Sequence, residues 1–366
     1  MQRIRQLYLL GQSLWYDYID RSLLFSGRLA DLVAAGVVHG VTSNPAIFRR
    51  AMSESAAYAD ERAQLAARGL DPEAIYEHLA VADIQAACDV LLPLYERTHG
   101  QDGFVSLEVS PHLAYDASGT VAAAQRLWDW VARPNLMIKI PGTAAGLEAI
   151  TEALARGISV NVTLLFSIAR YRQVVEAYLR ALERRAAQGL EVHSVASVAS
   201  FFVSRVDTKV DQALEALIAA GGPRAQAARE LRGTIAIANA RQAYQVFKDM
   251  FSGPRFAALA ARGARVQRPL WASTSTKNPA YPDTLYVDAL IGPRTVNTVP
   301  PQTWDAFADH GTPRLTIEAD IEGDAARLRR LAELGIDLDA ITATLEEEGV
   351  RAFVEAYDAL LQALAS

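Results

Sequence analysis

Short runs rich in β-branched and aromatic residues alternate with longer stretches of helical period along the whole chain. The short runs are SLWYDYI (13–19), VVHGVTSN (37–44), FVSLEV (104–109), LMIKI (136–140), ISVNVTLL (158–165), HSVASVAS (193–200) and PLWASTS (269–275). Between them, residues 167–189 set Ile168, Tyr171, Val174, Val175, Tyr178 and Leu182 on one face with arginines opposite, and Gly189 supplies a stop. An eighth strand is carried by either TLYVDALIG or TVNTVP, and periodicity does not choose between them. The repeated alternation predicts an α/β fold, a parallel (β/α)8 TIM barrel inside a ring of helices. An open doubly wound sheet is the alternative, but no G-x-G-x-x-G opens a helix and no P-loop is present. Residues 45–101 predict additional helices after the second strand, and residues 303–366 predict more at the C-terminus. Neither stretch has linker composition, so residues 1–366 read as a single barrel domain.

Polar positions sharpen that picture. Side chains two apart on a strand share a face, and LMIKI sets Lys139 in the middle of an apolar strand, where an ammonium is costly. Its parity collects Asp17 on the first strand, Thr42 and Asn44 on the second, and Ser106 and Glu108 on the third. It continues with Ser159, Asn161 and Thr163, then Ser194 and Ser200, then Trp271, Ser273 and Ser275. The opposite face, Val105, Leu107, Val109, Val160, Val162 and Leu164, reads as a surface for helix packing. Each polar residue alone has a plain structural use. Asn44 before Pro45 fits a helix cap, Thr163 fits any strand, and Glu108 and Asp17 fit as partners for an arginine. Together they predict a site at the C-terminal mouth of a barrel. Lys139 is then either a Schiff-base amine for a carbonyl substrate or one side of a salt bridge with Glu108 or Asp17.

Composition narrows the chemistry. Half of the 366 residues are hydrophobic and 21% are charged, the balance of a globular protein, and the net charge of −6 argues against nucleic acid or an anionic membrane as partner. No run approaches the roughly 18 apolar residues of a membrane span, and LYLL near the start is too short for a secretion signal. Cys88 is the one cysteine, read as a small core residue; with no intrachain disulfide available, a cytoplasmic location is expected. The six histidines show no metal-ligand spacing, so neither a metal nor another cofactor is expected, and His112 reads as a loop residue. Thirty-two arginines accompany only four lysines, at 139, 209, 248 and 277. Of these two residue types only lysine readily serves as an amine nucleophile.

Six segments in order, GVTSNPAIF, VSLEVSPHLAYD, NLMIKIPGT, GISVNVTLLFS, SVASFFVSRVD and WASTSTKN, resemble the transaldolases, Schiff-base aldolase-type barrels, in their longer bacterial branch. The resemblance covers roughly residues 13–300 and leaves no room for a fused glucose-6-phosphate isomerase. It implies transfer of a dihydroxyacetone unit between sugar phosphates in the non-oxidative pentose phosphate pathway. Sedoheptulose 7-phosphate and glyceraldehyde 3-phosphate would give erythrose 4-phosphate and fructose 6-phosphate. By the same resemblance Lys139 forms the Schiff base, Asp17 is the general acid/base, and Glu108 and Thr163 hold a catalytic water. Thr42, Asn44, Asn161 and Ser200 would bind the dihydroxyacetone moiety, and Arg205, Ser275 and Lys277 the phosphate. Asp20 has the wrong parity and no matching role, and TVNTVP becomes the eighth strand. Lys277 stands where many relatives have arginine. Phe202 occupies the position where the related fructose-6-phosphate aldolases carry tyrosine, and by the same resemblance the phenylalanine favours transfer over release. A fructose-6-phosphate aldolase and a catalytically silent sugar-phosphate-binding barrel are the competing readings; the resemblance is compatible with a monomer or a homodimer.

Overall fold

Eight strands close in sequence order into one parallel barrel: β1 (Gln12–Tyr16), β2 (Gly40–Thr42), β3 (Phe104–Glu108), β4 (Leu136–Pro141), β5 (Val160–Leu165), β6 (Ser197–Phe202), β7 (Arg268–Ala272) and β8 (Thr295–Val299). The computed structural model describes residues 1–365. TVNTVP supplies the last strand, while TLYVDALIG contributes the short helix Leu285–Ala289. Val160 and Val162 point outward beneath helices, as their apolar run predicts, and are fully buried. The helix Ile168–Ala187 is capped by Ser167, which accepts from the Arg170 amide, and Gly189 beyond it takes φ 72°.

Three strand assignments need correction. β6 begins at Ser197, so Ser194 precedes the strand, and the run extends through Phe202. On β7 the expected parity selects the wrong face. Ser200 pairs with Leu270 and Phe201 with Trp271, so Leu270 shares the inward face and Trp271 points out with Phe201, their rings 6.2 Å apart edge to face. Large aromatic surface is better buried under the helical layer than in a barrel already filled by Trp15. Ser273 lies past the strand at φ 53°, and this left-handed turn, not strand alternation, brings Ser275 round to the mouth. On β5 the register shifts between Val162 and Leu165, and Leu164 takes φ 61°. Alternation therefore holds as far as Thr163 and fails beyond it.

Trp15, Met137, Val198, Leu270 and Val296 fill the lower barrel and leave polar chemistry to the upper end. The excursion after β2 forms Pro45–Glu54, Ala59–Ala67 and Pro72–Arg97. The terminal helix Leu338–Ala365 packs against Pro45–Glu54, Pro72–Arg97 and Ser204–Ala220. Tyr357 donates to Glu73 (2.7 Å), Arg170 meets Glu346 (3.1 Å) and His112 meets Asp358 (2.7 Å). His112 thus tethers the terminal helix. Cys88 is buried in Pro72–Arg97, as its spacing predicts.

Candidate active site

Lys139 sits near the end of β4, in register with Glu108 on one side and Asn161 on the other. Its amine donates to the Ser43 carbonyl at 2.9 Å and lies 3.5 Å from Glu108 Oε2. The ion pair that the sequence left open is present, at the long end of such contacts, and both side chains are buried. Burial pushes the Glu108 carboxyl up to about 7; Lys139 opposes the rise and Asp17 adds to it. A carboxyl poised near neutrality can both give and take a proton.

Asp17 follows β1, fixed by its amide donating to the Val299 carbonyl at 2.9 Å. Its carboxylate accepts from Thr42 Oγ1 at 2.6 Å, and Thr42 contacts Thr298 Oγ1 at 2.6 Å. Burial raises the Asp17 carboxyl above its ordinary range, against the Thr42 hydrogen bond and the charges of Lys139 and Lys277. Asn161 donates to Ser106 Oγ (3.0 Å) and accepts from Ser200 Oγ (2.6 Å), so three strands lock that amide in one orientation. Thr163 Oγ1 is buried without a hydrogen-bond partner among the described residues, and Glu108 Oε2 has only its long ion-pair contact with Lys139. Orphaned oxygens of this kind are rare in folded proteins and suit a small polar guest.

At the rim, Asn44 proves to be a helix cap: its Oδ1 accepts from the Ile47 amide at 3.0 Å, and the residue still lines the pocket. Asp20 is likewise a cap, accepting from Leu23. Phe202 packs on Phe166, ring centroids 5.2 Å apart, with the Arg205 guanidinium 5.7 Å from its own centroid. Lys277 donates to Ser275 Oγ at 2.8 Å. Burial lowers both the Arg205 and Lys277 pKa values, and Arg205 lowers that of Lys277 further by repulsion. Arg205 is partly buried and Lys277 exposed at the rim, and two neighbouring cations of this kind are stabilised by an anion between them.

All twelve predicted site residues except Glu108 line one cavity of about 240 Å3, and Glu108 lies at its wall beside Lys139. Sequence reasoning missed Thr298 and Phe353. Thr298 follows from the parity of β8, once that strand is identified. Phe353, with its ring centroid 5.9 Å from the Lys139 amine, comes from the terminal helix. No local pattern marks it, because it is one more apolar residue in an amphipathic stretch.

The arrangement offers an amine for a carbonyl, two carboxyl groups of raised pKa for proton transfer, hydroxyls and amides for a polyol, and a cationic rim for an anion. Comparison with known proteins agrees with that chemistry. A family model described as Transaldolase/Fructose-6-phosphate aldolase matches residues 14–364. The chain is 51% identical over 352 residues to a protein of Thiobacillus denitrificans named Transaldolase, covering 96% of each. It is 50% identical to one of Neisseria gonorrhoeae with the same name, covering 97% of each. A Transaldolase of Thermobifida fusca is 49% identical, covering 99% of this chain and 97% of the relative.

Proposed function

Because the chain belongs to the transaldolase/fructose-6-phosphate aldolase family and acts as a transaldolase, moving a dihydroxyacetone unit between sugar phosphates, we propose that Lys139 carries that unit as a Schiff base. The observation that carries the assignment is the buried Lys139 amine, 3.5 Å from a Glu108 carboxyl whose pKa is about 7.

The amine attacks the donor ketone, and Glu108 hands a proton to the departing hydroxyl, so that water leaves and an iminium forms. Asp17 takes the proton of the C4 hydroxyl as the C3–C4 bond breaks. The bonding electrons flow into the iminium, leaving an enamine on Lys139 and releasing the aldose. An acceptor aldehyde then meets the enamine, and Asp17 returns its proton to the new hydroxyl. Thr163 and Glu108 hold the water of these steps, which the unpartnered Thr163 hydroxyl beside the mouth supports. Thr42, Asn44, Asn161 and Ser200 bind the dihydroxyacetone hydroxyls. Arg205, Ser275 and Lys277 take the phosphate, with Lys277 acting as a point charge where an arginine would offer a fork. The apolar ring of Phe202 supports retention of the enamine for transfer over protonation by water. A lone buried Cys88, and the absence among the described residues of any helix long and apolar enough to cross a membrane, are compatible with the expected cytoplasmic location.

Borohydride reduction in the presence of fructose 6-phosphate tests the assignment. An adduct on Lys139, located by peptide mass, is expected; an adduct elsewhere, or none, overturns it. Asp17→Asn should still be trapped but turn over about a hundredfold more slowly. Wild-type turnover in that variant would remove Asp17 from proton transfer.

A further inference from the structure

The Lys139 amine is held more closely by a main-chain oxygen than by its carboxyl neighbour. It donates to the Ser43 carbonyl at 2.9 Å, whereas Glu108 Oε2 stands off at 3.5 Å. Within VTSNP the proposed sugar contacts use Thr42 and Asn44, leaving Ser43 between them without a part. Ser43 is fully buried and lies just past β2, whose pairing with β3 ends at Thr42 and Ser106. Its hydroxyl donates to the Ser106 carbonyl at 2.7 Å, which carries the link to β3 one residue further. On the other side of the same peptide group, the Asn44 side chain caps the helix Pro45–Glu54 through the Ile47 amide. The carbonyl bonded to Lys139 is thus pinned from both ends, to a strand and to a helix.

We propose that Ser43 is a positioning residue whose carbonyl keeps one hydrogen on the Lys139 nitrogen throughout Schiff-base formation. The proposal rests on Lys139 forming that Schiff base. An ammonium and a ketone become an iminium and one water, so two of the three N–H hydrogens leave in the water and one stays. A carbonyl oxygen accepts and never donates, so the nitrogen turns a hydrogen towards Ser43 and never its lone pair. The lone pair of the neutral amine then faces the ketone or Glu108, the two directions in which reaction proceeds. In the planar iminium the one remaining hydrogen faces Ser43, and this sets the donor sugar on one side of the C=N bond.

Glu108 cannot supply this fixed hold. It gives and takes protons in these steps, so the sense of its hydrogen bonds reverses, whereas a peptide carbonyl accepts in every state. The contact also strengthens when it is needed, because an N–H on a positive nitrogen makes a stronger bond than one on a neutral amine. Anchoring the carbonyl matters for the rate, since a small turn of that peptide would misalign the nitrogen against the ketone. The Ser43 hydroxyl acts on the chemistry only through that anchor.

Ser43 and Asn44 form the only Ser–Asn pair in the chain. Protein labelled at the serine carbonyl carbon and the asparagine nitrogen therefore gives one coupled carbonyl–amide NMR signal, that of the Ser43 carbonyl. A carbonyl carbon that loses a hydrogen bond moves upfield. The signal should lie further upfield in Lys139→Met than in wild type, and should keep its downfield place when wild type is saturated with fructose 6-phosphate. A wild-type signal that coincides with that of Lys139→Met, or moves to it when the sugar binds, overturns the proposal.

Ser43→Ala removes the anchor and keeps the carbonyl. In single-turnover mixing with fructose 6-phosphate it should form the Lys139 adduct about tenfold more slowly. It should bind glucitol 6-phosphate, which has no ketone, as tightly as wild type, and Ser43→Thr should restore the rate. Wild-type speed in Ser43→Ala, or an equal loss of glucitol 6-phosphate binding, removes Ser43 from this role. If Ser43→Ala does not fold, the carbonyl signal of the wild type still decides. A wild type that traps no adduct on Lys139 with borohydride overturns the Schiff-base reading itself, a different result from normal trapping with a displaced signal.

Discussion

The Glu108 carboxyl shows how a single residue carries function at a cost to stability. Its native pKa of about 7 lies above the ordinary value of 4.5, so the folded state binds the proton more tightly than the unfolded chain does. Stability is therefore lost as pH rises from about 4.5 through about 7, the reverse of the usual carboxylate behaviour. Glu108→Gln cannot lose that proton. Its melting temperature relative to wild type should climb between pH 5 and pH 8 while activity collapses. A difference in melting temperature that stays flat across that range would show that Glu108 titrates normally. The expected trade is the general one between an active site and the fold that houses it.

At the scale of elements, β2 and its neighbour set the tightest fit in the barrel. A Cβ at Gly40 would come within 2.6 Å of the Trp15 ring, which is fully buried and has no free volume to move into. Gly40→Ala should cost about 1–3 kcal/mol, seen as a lower denaturant midpoint with an unchanged slope; an unaltered midpoint would mean that the ring can shift after all. The same strands show what was legible in the sequence. Where alternation is regular, on β1 to β5, parity found Asp17, Thr42, Glu108, Lys139, Asn161 and Thr163 on the mouth side. It failed on β7, because a tryptophan and a serine two apart satisfy an inward or an outward face equally well. Only the pairing of Phe201 with Trp271 decides between them. Ser275 reaches the mouth through a left-handed turn at Ser273, and no period of two encodes a turn. Asn44 reads correctly both as cap and as pocket residue, because its side-chain oxygen serves the helix while the residue faces the cavity.

Across the whole molecule, the site is closed by contacts that link distant parts of the chain. The terminal helix crosses to the excursion inserted after β2, and this places Phe353 above Lys139. Nothing near residue 353 in sequence announces that position. The helix is legible as a helix, but its docking is a property of the assembled surfaces. Gly349 helps to seat it, since a Cβ there would come 3.0 Å from Leu164 at the β5 bulge. Phe353→Ala should admit water to the enamine and raise the fraction of free dihydroxyacetone released per turnover several-fold. An unchanged ratio of release to transfer would assign the shielding to Phe202 alone.

The surroundings of Lys139 also fix how the protein breaks into fragments. Arg133 is followed by proline and resists trypsin, so the sites flanking Lys139 are Arg126 and Arg156. With the amine free, digestion of the unfolded chain separates residues 127–139 from 140–156. With the amine carrying a reduced sugar, that cut is lost and residues 127–156 appear as one longer peptide. In a chain of only four lysines, the covalent intermediate is thus recorded as the disappearance of one cleavage and the appearance of one new mass.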